Sequence, residues 1–198
     1  MDNRTIVLLV GESGVGKSTL ARHMTDKYGW KEVVSYTTRP PRTPDEDTHI
    51  FVNDAEFDEL MENNNICAYT EFDGYRYCAT DEQVNECDIY VIDPDGVEYF
   101  YDNYKGRKVP MVVYLEGDRE LLVERMRARG DSDEKIAARL ENDAIKFADF
   151  YDILDRTDSD HYFVLVNEYT TINELGVYLE HIRYVELQDI RREEAKLP

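Results

Sequence analysis

Cysteine is scarce in this chain: three residues of 198, Cys67, Cys78 and Cys87. An odd number, without CxxC spacing and without a nearby histidine, provides neither a disulfide framework nor a zinc site, so reduced, buried thiols are expected. Long hydrophobic runs are also missing. The apolar stretch within MDNRTIVLLVGE is too short for a signal peptide, and no later segment approaches membrane-spanning length, so a cytoplasmic location is expected. No internal repeat is visible. Basic residues are in the minority, with 23 Lys and Arg against 43 Asp and Glu and a formal net charge of −20. Such a balance speaks against nucleic acid and anionic membranes as partners, because both select basic faces. It also makes any local cluster of Arg and Lys informative.

What is present suffices for a core: 42% of the residues are hydrophobic, and Tyr and Phe are plentiful. The length predicts one domain, with small lobes inserted into it. Thr5 to Val10 is an unbroken apolar run, as in a strand covered on both faces. Similar runs recur at Asp88 to Ile92, Val109 to Leu115 and Tyr162 to Val166, with helical patterns between them. That alternation predicts an α/β fold with a parallel, doubly wound sheet. Ser35 to Cys87 is different, polar and Pro-rich at RPPRTP with short alternating segments such as ICAYTEF, and reads as an inserted lobe. A helix is expected from Asp118, a suitable N-cap, to Arg129, with Gly130 at its C-terminal end and another helix starting near Ser132. Ile172 to about Ala195 carries Leu175, Leu179 and Ile182 at helical spacing and predicts a packed terminal helix.

The segment Gly11-Glu12-Ser13-Gly14-Val15-Gly16-Lys17-Ser18-Thr19 fits G-x-x-x-x-G-K-[ST], with a buried strand before it and a helical pattern after it. Its glycines let the backbone wrap an anion, and the helix behind it aims free N–H groups and a positive dipole end at that anion. Lys17 is expected to reach the β and γ phosphates of a nucleotide, and the Ser18 hydroxyl to ligate Mg²⁺. Two further basic groups stand out. In Ser35-Tyr36-Thr37-Thr38-Arg39-Pro40-Pro41-Arg42, two guanidinium forks on a stiffened loop suit a phosphate monoester, or form an ordinary solvated loop. In Arg125-Met126-Arg127-Ala128-Arg129, followed by Arg139, residues 125 and 129 share a helix face. They either surround a transferring phosphoryl group or pair with neighbouring acids at a solvated surface.

Together these pieces resemble the guanylate kinases, a branch of the P-loop nucleoside monophosphate kinases. The resemblance rests on GESGVGKSTL, SYTTRPPR, EFDGYRYCAT, RMRARGDSDEKIAARLENDA and FVLVNEY, in family order and over nearly the whole chain. It implies a P-loop NTPase three-layer core at about 1–34, 88–124 and 145–198, a monophosphate-binding lobe at about 35–87 and an arginine-rich lid at about 125–144. It implies ATP and Mg²⁺, with a nucleoside monophosphate, by default GMP or dGMP, as acceptor. By motif position, Ser35, Arg39, Arg42 and Tyr77 would hold the acceptor's phosphate. Arg125, Arg129 and Arg139 would close on the transferring group, Asn167 would lie near adenine, and Asp93 would orient water around Mg²⁺.

Departures from the family pattern concern the base. Ala68 stands where members usually have Glu and Ala79 where they have Ser or Thr, while Cys78 replaces a glycine and Val91 an acidic residue. His49 stands at a usual phosphate-binding Tyr, and Glu71 is the nearest acid to the missing acceptor. Phosphoryl transfer is therefore expected to persist, with base recognition altered or taken over by other residues. A kinase for another nucleotide or a sugar phosphate remains open, as does a non-catalytic interaction module, against which intact Gly16, Lys17 and Ser18 speak. A GTP-driven switch lacks its NKxD-like segment.

Overall fold

The computed structural model describes residues 4–72, 74–157, 162–166 and 171–196. Its central sheet is parallel, in the order β6 (Ile89–Val91), β1 (Thr5–Gly11), β7 (Val109–Glu116), β8 (Tyr162–Val166). The register pairs Leu8 with Tyr90 on one side and with Val112 on the other, and Tyr114 with Val164. All seven residues of β1 are buried, which explains why its sequence shows no alternation.

The pleat of β1 divides the core into two halves. Ile6, Leu8 and Val10 pack with Val97 and Phe100 of α4 (Pro94–Asn103) and with Ile153 and Leu154 of α7 (Phe150–Arg156). Val7 and Leu9 pack with Leu20 and Met24 of α1 (Lys17–Tyr28) and with Leu175 and Leu179 of α8 (Ile172–Glu194). Helices thus cover both faces, making three layers, and ligands of such sheets bind beyond the carboxyl ends of the strands. Burying a Leu- or Ile-sized side chain contributes about 1.5–3 kcal/mol, so this double-sided packing dominates the stability of the core. Arg183 ties α8 down: it is buried, donates to Asp88 Oδ1 at 2.6 Å and Thr5 Oγ1 at 3.2 Å, and lies 4.4 Å from the Trp30 ring centroid.

The second sheet is mixed, in the order β3 (Ile50–Phe51), β2 (Tyr36–Thr37), β5 (Tyr75–Thr80), β4 (Ile66–Phe72). The β4–β5 hairpin turns at Gly74, whose φ of 77° lies in the left-handed region. Two short helices, α2 (Asp54–Asn63) and α3 (Asp81–Glu86), begin at capping boxes, Asn53 with Glu56 and Thr80 with Gln83. Cys67, Ala68 and Ala79 join the same core cluster as Val97 and Phe100, which fixes this lobe against the main sheet. Cys67 and Cys78 are buried free thiols and Cys87 is a half-buried one.

The arginine-bearing segment is a helical pair. Asp118 Oδ1 accepts from the N–H groups of Glu120 and Leu121 and starts α5 (Arg119–Ala128), and Gly130 follows with φ 91°. Ser132 then caps α6 (Asp133–Lys146). Among the described residues, no helix is long and apolar enough to cross a membrane.

Candidate active site

Gly14 and Gly16 adopt φ values of 84° and 106°, so the loop after β1 curls tightly before entering α1. A Cβ on Gly14 would lie 2.8 Å from the carbonyl oxygen of Leu122, so the loop also needs glycine to pass under α5. No side chain caps α1, which leaves its first N–H groups for another acceptor. Lys17 lies across the loop and donates to the carbonyls of Gly11 and Glu12. Loss of water around its amine lowers it to about 8, against the support of Asp143 and Asp93.

A cavity of about 670 Å³ opens over this loop. Ser13, Gly14, Gly16, Lys17, Ser18 and Thr19 form its floor, and Arg42, Arg125, Arg129 and Arg139 line the rest with Phe72 and Ile172. Four arginines and a lysine around one space, in a chain of net charge −20, mark a site for a polyanion. Arg125 Nη1 donates to the Val15 carbonyl at 3.1 Å, bracing the loop. Asp131 accepts from both Arg129 Nε at 3.0 Å and Arg139 Nη1 at 3.4 Å, holding two like charges side by side.

A second cavity of about 280 Å³ adjoins the first, with Ser13, Lys17 and Phe72 lining both. Its walls include Gly11, Ser35, His49, Ala68, Thr70, Tyr77, Tyr90, Asp93 and Lys146. His49 Nδ1 and Ser35 Oγ are 3.0 Å apart, and the His49 and Tyr77 rings meet edge to face at 5.5 Å. Burial, and then the charge of Arg39, lower the His49 pKa, which favours a neutral ring. Two pockets sharing Lys17 can bring a donor phosphate and an acceptor together.

Not every residue singled out by sequence faces these cavities. Glu71 does not line them: Ala68, Tyr69, Thr70 and Phe72 of the same strand do, while exposed Glu71 accepts a hydrogen bond from the Tyr69 hydroxyl. Arg39 lines neither cavity, and Glu46 takes its guanidinium fork bidentately at 2.7 and 3.2 Å. Those hydrogen bonds hold the Glu46 carboxyl down at about 2. Arg39 Nε is nevertheless a buried N–H without a hydrogen-bond partner among the described residues. Asn167 lies outside the described residues. Asp93, two residues beyond β6, caps α4, Oδ1 accepting from Gly96 N–H at 2.9 Å, while Oδ2 is paired with Lys146 and accepts from Thr70 Oγ1 at 2.9 Å.

No group of three or more His, Cys, Asp or Glu suited to a metal occurs among the described residues. A Mg²⁺ ion that arrives with phosphates takes only one or two protein oxygens. The exposed Ser18 hydroxyl, at the cavity floor, is the oxygen that the loop offers.

Two residues near the loop were not anticipated, Asp143 and Lys146. Both lie on α6 at four and seven residues beyond Arg139, a helical stripe that could have exposed them. Asp143 is buried, and its Oδ2 accepts from the Ser13 N–H at 2.7 Å. A carboxylate therefore sits on a loop amide facing the phosphate cavity and repels a polyanion there. Asp143→Asn is expected to tighten ATP binding about three- to tenfold, the worth of one displaced hydrogen bond, and calorimetric titration checks it.

A model of the family described as guanylate kinase matches residues 2–170. A guanylate kinase of Thermobifida fusca is 35% identical over 157 residues, covering 73% of this chain and 78% of its own. Another, of Nostoc sp., is 33% identical over 161 residues, covering 75% and 79% respectively. The crystal structure of guanylate kinase from Anaplasma phagocytophilum aligns with a TM-score of 0.60 at 22% identity over 92% of this chain and 87% of that one, a likeness of fold.

Proposed function

This chain belongs to the guanylate kinase family, and we propose that its two joined cavities carry out Mg²⁺-assisted transfer of the γ-phosphoryl group of ATP to the phosphate of GMP or dGMP. It is a nucleoside monophosphate kinase. The observation that carries the site assignment is the sharing of Ser13 and Lys17 between the arginine-lined cavity and the smaller one. An oxygen of the acceptor phosphate attacks the γ-phosphorus in line, the bond to the β-bridging oxygen breaks, and ADP and GDP result. No protein nucleophile is needed, because the enzyme's task is to position two anions and stabilise the charge between them.

In this reading the N–H groups of the loop from Ser13 to Thr19 hold the ATP phosphates, and Lys17 bridges the β and γ groups. Ser18 would hold Mg²⁺, which supplies charge neutralisation between those phosphates when bound. Arg125, Arg129 and Arg139 gather round the transferring group. Arg42, Tyr77, Ser35 and His49 surround the acceptor's phosphate. Closing α5 and α6 over both substrates would keep water from accepting the phosphoryl group. A cytoplasmic setting, where ATP and monophosphates are supplied, goes with this reading. Sugar phosphates as acceptors and a purely binding role are not favoured by the relatives.

The test is Mg²⁺-dependent ATP consumption with nucleoside monophosphates, deoxynucleoside monophosphates and sugar phosphates. Turnover of GMP and dGMP is expected. Absence of turnover with every nucleoside monophosphate would overturn the reading.

A further inference from the structure

The kinase reading leaves the acceptor base without its reader. Ala68 and Ala79 are methyl groups, 2% and 0% exposed, and neither can accept a hydrogen bond from a base edge. Yet the smaller cavity is not apolar throughout. Phe72, Tyr77 and Tyr90 provide aromatic walls against which a flat ring can lie, and at one side Thr70, Asp93 and Lys146 form a compact polar group. Lys146 stands at the last turn of α6, with its side chain 16% exposed and its amine 5.7 Å from the Phe72 ring centroid. The amine is paired with Asp93 Oδ2 and lies 3.3 Å from Thr70 Oγ1 and 2.9 Å from Asp95 Oδ2.

An ammonium has three N–H donors and no acceptor, whereas a carboxylate has about four lone-pair sites. The three donors of Lys146 go to Asp93, Thr70 and Asp95. Asp95 is 55% exposed and easily hydrated, so its contact is the one that another oxygen can replace. Asp93 receives Gly96 N–H on Oδ1 and Thr70 and Lys146 on Oδ2, which leaves Oδ1 able to accept once more. A donor beside an acceptor complements a ring carbonyl beside a ring N–H, the lactam edge of a 6-oxopurine. It mismatches adenine and cytosine, which present an amino group beside a bare ring nitrogen.

We propose that Lys146 and Asp93, with Thr70 positioning them, read the lactam edge of the acceptor base, Lys146 donating to the carbonyl and Asp93 accepting from the adjacent N–H. This inference rests on the kinase reading and names the specificity residues of that site. It moves Asp93 from the metal side, where the family resemblance put it, to the acceptor side. It also carries a consequence for the 2-amino group of guanine. With methyl groups at 68 and 79, recognition rests on the carbonyl and ring N–H, so inosine monophosphate, which lacks that amino group, serves nearly as well as GMP.

The experiment measures kcat and KM for GMP, inosine monophosphate, AMP and ATP in the wild type, Lys146→Met, Lys146→Arg and Thr70→Val, with a thermal melt of each. The wild type is expected to use inosine monophosphate within about tenfold of GMP in kcat/KM. Lys146→Met is expected to raise KM for GMP about ten- to a hundredfold, the worth of a charge-assisted hydrogen bond, and to erase the preference for GMP over AMP to the same degree. KM for ATP stays within about twofold, and Lys146→Arg recovers part of the loss. A folded Lys146→Met enzyme with unchanged KM for GMP and unchanged GMP-to-AMP preference overturns the assignment, as does wild-type rejection of inosine monophosphate by more than about a hundredfold. Should Lys146→Met lose its melting transition, Thr70→Val and the wild-type comparison decide in the same way. Failure of the wild type on every monophosphate brings down the kinase reading itself, whereas activity on GMP with an indifferent Lys146 brings down this assignment alone.

Discussion

Replacing Lys17 by Met is expected to lower kcat by about 10³-fold or more while the protein remains folded. The stem of Met fills much the same space, and what disappears is the ammonium that lines both cavities. In the free protein this ammonium is held by the carbonyls of Gly11 and Glu12, so the change removes two hydrogen bonds to loop carbonyls. The phosphoryl group in flight loses a charge at close range in a site poor in water, where electrostatic stabilisation is strongest. A pH profile supplies the second half of the test. Because loss of water lowers Lys17 to about 8 in the free protein, kcat/KM for ATP is expected to stay level below that pH and to fall towards tenfold per unit above it. The sign follows from the charge required: raising the pH removes the proton that makes the amine a cation, and ATP binding must then restore it. Initial rates across the alkaline range check this, and the same inflection in Lys17→Met would show that another group causes it.

The features visible in the sequence were those fixed by neighbours along the chain. The loop from Gly11 to Ser18 could be read because the glycines, the strand and the helix are contiguous, and β1 because a strand covered on both faces leaves an unbroken apolar run. Asp118, Gly130 and Ser132 likewise marked helix ends by local chemistry, and the structure has them at those ends. The parallel sheet followed from the alternation of such runs with helical patterns.

What stayed hidden depends on partners distant in the chain. Asp143 meets Ser13 across 130 positions, and Lys146 meets Asp93 across 53 and Thr70 across 76. Read alone, both are polar residues on an amphipathic helix. The sequence offers Arg39 as a phosphate-binding candidate but does not show its bidentate partner Glu46, since RPPRTPDED has several acids and only the fold selects one. Glu71 illustrates how a one-residue step decides a role. Thr70 faces the cavity, and the acid beside it faces solvent.

Arg129→Ala is expected to reduce kcat about 10²- to 10³-fold with KM for ATP changed no more than about threefold, and the contrast with Arg125 makes the reason testable. Arg129 sits at the C-terminal cap of α5, 54% exposed, and its ion-pair partner Asp131 also serves Arg139. The arginine end of this pair is open to water, so the pair contributes about 0–1 kcal/mol and stability should depend little on it. Its guanidinium lines the cavity over the phosphate loop, where closure of α5 and α6 would bring it onto a group whose charge spreads over three oxygens. Arg125 is placed differently: Nη1 already donates to the Val15 carbonyl, so Arg125→Ala should weaken ATP binding and turnover together. Steady-state kinetics on both variants separates the two cases. Equal losses of kcat and ATP affinity in Arg129→Ala would make that residue a ground-state binder. Arg129→Lys refines the outcome, because a point charge keeps attraction without the planar fork. If the fork's geometry matters, Lys restores less than a tenth of the lost rate.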